Sequence, residues 1–196
     1  MVGLVESKQA IAGRELLSCD SPVGKLGLAI CYDMRFPEMH QKLTFTHGAE
    51  VLTFPSAFAM KTGEAHWETL LRCRAIECQT YVVAAAQVGQ HNEHGNKRQS
   101  WGHAMAVDPW GKVVAQFGGA GDVGVKPFEI DLDLVQKTRD NMPMHTHRRY
   151  DLYTDQPVAG GQSLFSALPH LAYAAAVPIG LFMVASATRV LRARAA

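Results

Sequence analysis

Between Lys25 and about Asp140 short apolar runs alternate with longer amphipathic stretches, and the alternation predicts strands separated by helices. The run "KLGLAI" (25–30), bounded by glycine and proline, suits a buried strand. It leads into "PEMHQKLTFTHG" (37–48), where Pro37 suits the first helical position, Glu38 the first turn and Gly48 the stop. "AEVLTFP" (49–55) predicts a second buried strand. In "AHWETLLRCRAIECQ" (65–79), Trp67, Leu70, Leu71, Ala75 and Cys78 fall on one stripe at helical spacing. "TYVVAAAQ" (80–87) predicts a third strand and polar "GQHNEHGNKRQ" (89–99) a loop. "WGHAMAVDPWGKVVAQF" reads as a hairpin, because Asp108, Pro109 and Gly111 are type I turn residues. "VKPFEIDL" adds a last strand, and Asp131 to Asp140 a short helix. Strands alternating with helices, then a hairpin, indicate a layered α/β fold.

The C-terminal part breaks the pattern. From Ser163 to Thr188 there is no Lys, Arg, Asp or Glu, and Arg189, Arg192 and Arg194 follow at once. The length would allow a membrane span with a basic flank. Pro169, Pro178, Gly180, His170 and many alanines make the segment only mildly hydrophobic, so a docked apolar helix or a disordered appendage is preferred to spanning. The expected organisation is a domain over 1–153, a linker over 154–163 and an apolar, Ala-rich tail over 164–196.

Composition removes some function classes. The 196 residues are 47% hydrophobic with a formal net charge of +1, the makeup of one globular domain with no field to hold nucleic acid. Cys19, Cys31, Cys73 and Cys78 show neither CxxC nor secreted-type spacing, and "MVGLVESKQA" lacks the order of a signal peptide, which points to a reducing cytoplasmic interior.

Cys31 is the candidate for chemistry. It closes an apolar run just ahead of a helix start, where backbone N–H groups and the helix dipole can stabilise a thiolate and an oxyanion. A small buried cysteine would give the same spacing, so spacing leaves both readings open. Asp33, Arg35 and Glu38 beside it are expected to form a local ion-pair network that fixes the loop.

Five blocks in order, "GLAICYDMRFPE", "LTFPSAF", "HWETLLRCRAIECQTYVVAAAQVG", "GHAMAVDPWGKVVA" and "HRRYDLY", resemble the nitrilase or carbon-nitrogen hydrolase superfamily, and within it the deaminated glutathione amidase branch, over about Ser21 to Tyr153. The resemblance implies part of an αββα sandwich that usually dimerises, in the cytoplasm or also in mitochondria. It implies Cys31 as nucleophile toward a small-molecule amide, through a thioester with release of ammonia. It also implies the backbone N–H of Tyr32 as an oxyanion donor, no cofactor and no metal. Ser56, Ala57, Phe58, His66 and Trp67 fall in blocks the family places near its pocket, although core packing explains the aromatics equally well.

The family's other triad members, a Glu and a Lys, lie N-terminal to the cysteine block. Only 30 residues precede Cys31, and Glu6 and Lys8 sit in a polar stretch with no apolar strand before them. Lys25 starts the cysteine's own strand, which puts it roughly 20 Å from the thiol at ~3.3 Å per residue. The expectation is therefore a truncated form that is inactive alone. The alternative is a non-catalytic isoform that pairs with a full-length partner, as a homodimer or heterodimer through exposed sheet edges, or is anchored by its tail. Smaller departures from the family pattern are Tyr150 in place of Pro and Ala104 in place of Ser.

Three weaker patterns are set aside. His91 and His94 lack a third metal ligand and read as a solvated loop. "HTHRRY" (145–150) reads as a packed or dimer-edge turn rather than a phosphate contact, and "GGAGDVG" (118–124) lacks the residues of a phosphate loop.

Overall fold

The computed structural model describes residues 10–92, 94 and 97–153 and the backbone of residues 180–187. Three of the apolar runs become β2 (Leu26–Leu28), β3 (Val51–Thr53) and β4 (Tyr81–Ala84), which pair in parallel because a helix crosses over between each and the next. Those helices are α1 (Pro37–Phe45) and α2 (Met60–Cys78), packed against each other. The expected proline start of α1 is present, and Gly48, at φ 74°, makes the stop that a residue with a β-carbon would resist. The helical stripe holds as well: Trp67, Leu71, Ala75 and Cys78 are buried, although α2 begins at Met60, ahead of the stretch that carries the stripe.

The hairpin of β7 (Met105–Val107) and β8 (Val113–Gln116) joins β4, and β1 (Ser18–Cys19) pairs with β2, so the first sheet runs β1-β2-β3-β4-β7-β8. Its turn forms as the sequence suggests: the Gly111 N–H donates to the Asp108 carbonyl at 2.9 Å, and the Asp108 carboxylate accepts from the N–H groups of Trp110 and Lys112. The core centres on Val51, Leu52, Phe54, Trp67, Val82 and Met105, all essentially inaccessible.

"TYVVAAAQ" is not one strand. It splits at Ala85 into β4 and β5 (Ala86–Gln90), which belong to different sheets. The loop after β3 causes the split: the Ser56 N–H donates to the Ala85 carbonyl and the Gln87 N–H to the Ser56 carbonyl, turning the chain out of the first sheet. The apolar run carries no breaker that could have signalled this. β5 pairs with β6 (Gln99–Trp101), and β9 (Gly124–Ile130) leads into α3 (Leu132–Asn141), whose N-cap Asp131 accepts from the Leu134 N–H. Two short helices, α4 (Met144–His147) and α5 (Tyr150–Tyr153), follow. As expected for the His-rich turn, Arg148 packs there against α1, donating to Gln41 and lying over Phe45.

The tail corrects the expectation of a docked helix or an appendage, because Gly180–Ala187 forms strand β10. A backbone in extended form can pair with open strands, which an isolated helix cannot. β10 lies between β5 and β9 in a second sheet of order β6-β5-β10-β9. Glu6, Lys8, the linker and the rest of the tail lie outside the described residues. Among the described residues no helix is long and apolar enough to cross a membrane.

Two consequences follow for stability. α2 approaches Trp101 so closely at Gly63 that an added β-carbon would lie 2.2 Å from the Trp101 Cγ, so Gly63→Ala is expected to lower the unfolding free energy by about 1–3 kcal/mol in urea titration. His40 is fully buried beside Phe54, and burial, with the Arg74 cation second, lowers its pKa from 6.5 to about 4. It stays neutral in the folded chain while the unfolded chain takes up a proton below pH 6.5, so stability is full above that pH and is lost as the pH falls toward 4. Relative to His40→Leu, the natural chain should lose up to about 3 kcal/mol across this window; identical pH profiles of the two would exclude the effect.

Candidate active site

Cys31 begins a 3-10 turn, Cys31–Arg35, that separates β2 from α1. The sequence placed the thiol between a strand and a helix start; the 3-10 turn occupies that place, and the N-terminal end of α1 lies at Pro37, six residues beyond the thiol. Cys31 adopts φ 45°, in the left-handed region that favours glycine. Backbone bonds hold it there. The Cys31 N–H donates to the Pro55 carbonyl at 3.1 Å, the Ala29 N–H to the Thr53 carbonyl, and the Asp33 N–H to the Ile30 carbonyl. The Asp33 carboxylate closes the turn by accepting from the Ile30 N–H at 2.8 Å.

The turn leaves Cys31 half-buried rather than sealed in the core, which is the state a reacting thiol needs. Tyr32 follows with its side chain 62% exposed, and its backbone N–H has no partner among the described residues. An N–H at the start of a helical turn has no earlier carbonyl within the turn to bond, so it is available to an oxygen from outside.

The expected ion-pair network of Asp33, Arg35 and Glu38 does not form among the described residues. Asp33 is spent on the Ile30 N–H, Glu38 points to solvent, and Arg35 turns toward α2. Its guanidinium lies 5.6 Å from the Tyr32 ring centre and 5.5 Å from that of Phe58. Its Nη2 donates to His66 Nδ1 at 3.3 Å. A guanidinium has only donors, so His66 accepts here and carries its proton on Nε2. No carboxylate of the described residues pairs with Arg35.

The other residues singled out from the sequence divide into lining and support. Phe58 is buried edge-on against Trp67, at 5.0 Å between ring centres, and presents its other side to Arg35. Trp67 is 1% exposed and donates its indole N–H to the His103 carbonyl, so it supports Phe58 from behind rather than meeting a ligand. Ser56 is buried, its hydroxyl donating to the Phe54 carbonyl, and the Ala57 carbonyl accepts from Arg98. His103, missed in the sequence, adopts φ 60° and stacks on Trp101. No pattern in "WGHAM" marks a left-handed histidine.

The remaining thiols differ from Cys31. Cys78 is buried, which, with the Glu77 charge second, pushes its pKa up to about 12. Cys73 is raised by desolvation and then by Glu77. His91 bonds the Ser100 hydroxyl, and among the described residues no group of three or more His, Cys, Asp or Glu could hold a metal ion. The turn at 118–124 is closed by Asp122 accepting from the Gly118 N–H at 2.6 Å, so that N–H is already used within the chain.

Chemically, the arrangement offers a half-buried thiol, an adjacent N–H with no partner among the described residues and a cation near two aromatic rings. The chain is 49% identical over 153 residues to a protein of Dictyostelium discoideum named deaminated glutathione amidase, covering 78% of this chain and 50% of that one. It is 55% identical over 149 residues to the Bos taurus protein of the same name, covering 76% and 44%. The crystal structure of the Caenorhabditis elegans NitFhit protein superposes with a TM-score of 0.69 at 54% identity, covering 77% of this chain and 35% of that chain. The chain thus spans about half or less of the length of these relatives. Residues 2–140 match the carbon-nitrogen hydrolase family, and the chain belongs to that family.

Proposed function

We propose that this chain carries the nucleophile and substrate-anchoring part of an amidase that hydrolyses ω-amides of small carboxylic acids, deaminated glutathione being the type suggested by the relatives' names. The observation that carries the reading is the left-handed, half-buried Cys31 followed by Tyr32, whose N–H has no partner among the described residues. In this reading the Cys31 sulfur, its proton passed to a base, attacks the amide carbonyl, and the resulting oxyanion accepts from the Tyr32 N–H. The C–N bond breaks as the nitrogen takes a proton, ammonia leaves, and a thioester remains on Cys31. Water then attacks the thioester, releasing the carboxylic acid and restoring the thiol.

Arg35 gives the substrate class. A guanidinium with no carboxylate partner among the described residues, one turn from the proposed nucleophile and steadied by Tyr32, Phe58 and His66, is suited to hold a substrate carboxylate.

The same site favours a second role for the chain when it is alone. Among the described residues no hydrogen bond joins the Cys31 thiol to a carboxylate or a lysine, so nothing in this set takes its proton. The base and a further cation are proposed to come from a family-type N-terminal segment with its Glu and Lys. Until they are supplied, the chain would act through pairing.

Ammonia release tests this directly. The 196-residue chain is expected to give none from ω-amides, fusion to such a segment should restore it, and Cys31→Ala should then abolish it. Steady release by the chain alone that depends on Cys31 would overturn the need for a supplied base. In the restored protein, Arg35→Gln should raise KM for carboxylate-bearing amides by about 10- to 100-fold, the worth of one charged hydrogen-bonded contact, with less change for amides lacking the carboxylate. Equal effects on both would remove Arg35 from substrate recognition.

A further inference from the structure

The second sheet closes on a strand from outside the family match. β5 and β9 both lie within residues 2–140, and β10, beyond them, fills the space between. It runs antiparallel to β9 from Gly180 opposite Ile130 to Ser186 opposite Gly124. Against β5 it pairs in parallel at Ser186 and Ala187 alone. β9 has no other strand partner in the sheet, and Pro127 suits it to an edge. Without β10, β9 would lose its strand partner over Gly124–Ile130 and β5 its pairing at Ala86 and Gln87, and edges opened in this way bind strands.

We propose that the gap between β5 and β9 is an exchangeable strand-binding site, filled in cis by Gly180–Ala187 and in trans by the same strand of a second copy of this chain. Three observations favour a second copy as the trans occupant. The sequence "GLFMVASA" carries no charge and no proline, so two copies neither repel nor block the ladder. The register of this strand on β9 is already defined along its length, and a second copy brings the identical match. The hold on the β5 side is short, so release from β9 frees the strand from most of its pairing. Residues 154–179 tether the strand to its own domain, so cis filling wins in dilute solution and trans filling grows with concentration. Nothing in this requires Cys31 to be catalytic.

The test uses the full chain with Val125→Cys and Ala185→Cys, which face each other in the register, and with the exposed Cys19 and Cys73 replaced by serine. Isotopically heavy and light copies are mixed, unfolded, refolded at micromolar and at near-millimolar concentration, oxidised, and the linked peptides read by mass spectrometry. The expected result is a 125–185 disulfide at both concentrations, joining peptides of one isotope at low concentration and of mixed isotope in a fraction that rises with concentration. Absence of the 125–185 disulfide at either concentration, or same-isotope linkage alone at both, overturns the proposal. A second measurement avoids engineered folding: a fluorescent peptide of residues 178–189 should enter the unmodified chain and not the chain locked by the intrachain disulfide. Equal uptake by the two, or none by the unmodified chain, also overturns it.

Discussion

Cys31 stands at φ 45°, a conformation that costs a residue with a β-carbon about 1–2 kcal/mol, and the surrounding turn exists in a form that holds it there. The Cys31 N–H is tied to the Pro55 carbonyl just past β3, and the Ala29 N–H to Thr53 within β3, so the turn is anchored to the first sheet rather than hanging from α1. Asp33 uses its carboxylate on the Ile30 N–H, and that choice frees Arg35. The guanidinium then lies over Phe58, which Trp67 supports, and Trp67 is fixed in turn by the His103 carbonyl. The position of the sulfur, the free N–H beside it and the cation near it therefore depend on one backbone constraint. A network of ion pairs among Asp33, Arg35 and Glu38 would have stiffened the same loop but neutralised the cation.

Much of the fold was readable because its elements obey local rules. Pro37 and Gly48 bracket α1, the Trp67–Cys78 stripe lies on one face of α2, and Asp108 to Gly111 make the turn their composition suggests. What was not readable depends on contacts distant in sequence. The break at Ala85 arises from Ser56, far upstream, capturing the backbone of residues 85–87, and nothing in three alanines announces it. The tail strand is a stronger case. A segment with mild hydrophobicity and prolines has no local reason to be extended, and its strand is defined by pairing with β9, and over two residues with β5, both distant in sequence.

The local form of the candidate site was more legible than its contacts. The turn that carries Cys31 and Tyr32 is a short-range device made by adjacent residues, so its place after an apolar run and before Pro37 could be read from the sequence. Arg35 was assigned to Asp33 and Glu38 because they are its nearest opposite charges in sequence. A 3-10 turn places successive side chains about 120° apart, so neighbours in sequence face different ways, and His66 on α2 became the partner instead. Phe58 and Trp67, expected near a pocket, pack edge to face in the core, with the buried tryptophan standing behind the phenylalanine as a support.

The presentation of Cys31 for attack is tested most directly by the rates at which the four cysteines of the native chain react with iodoacetamide at neutral pH, resolved by peptide mass spectrometry. Cys31 should be modified first although it is only half-buried where Cys19 and Cys73 are exposed, so its precedence would report activation by the turn rather than access. Cys19 and Cys73 should follow, and Cys78 should come last, buried and with its pKa pushed up to about 12. Modification of Cys31 no faster than Cys19 and Cys73 would contradict the claim that this turn is built around a reactive thiol.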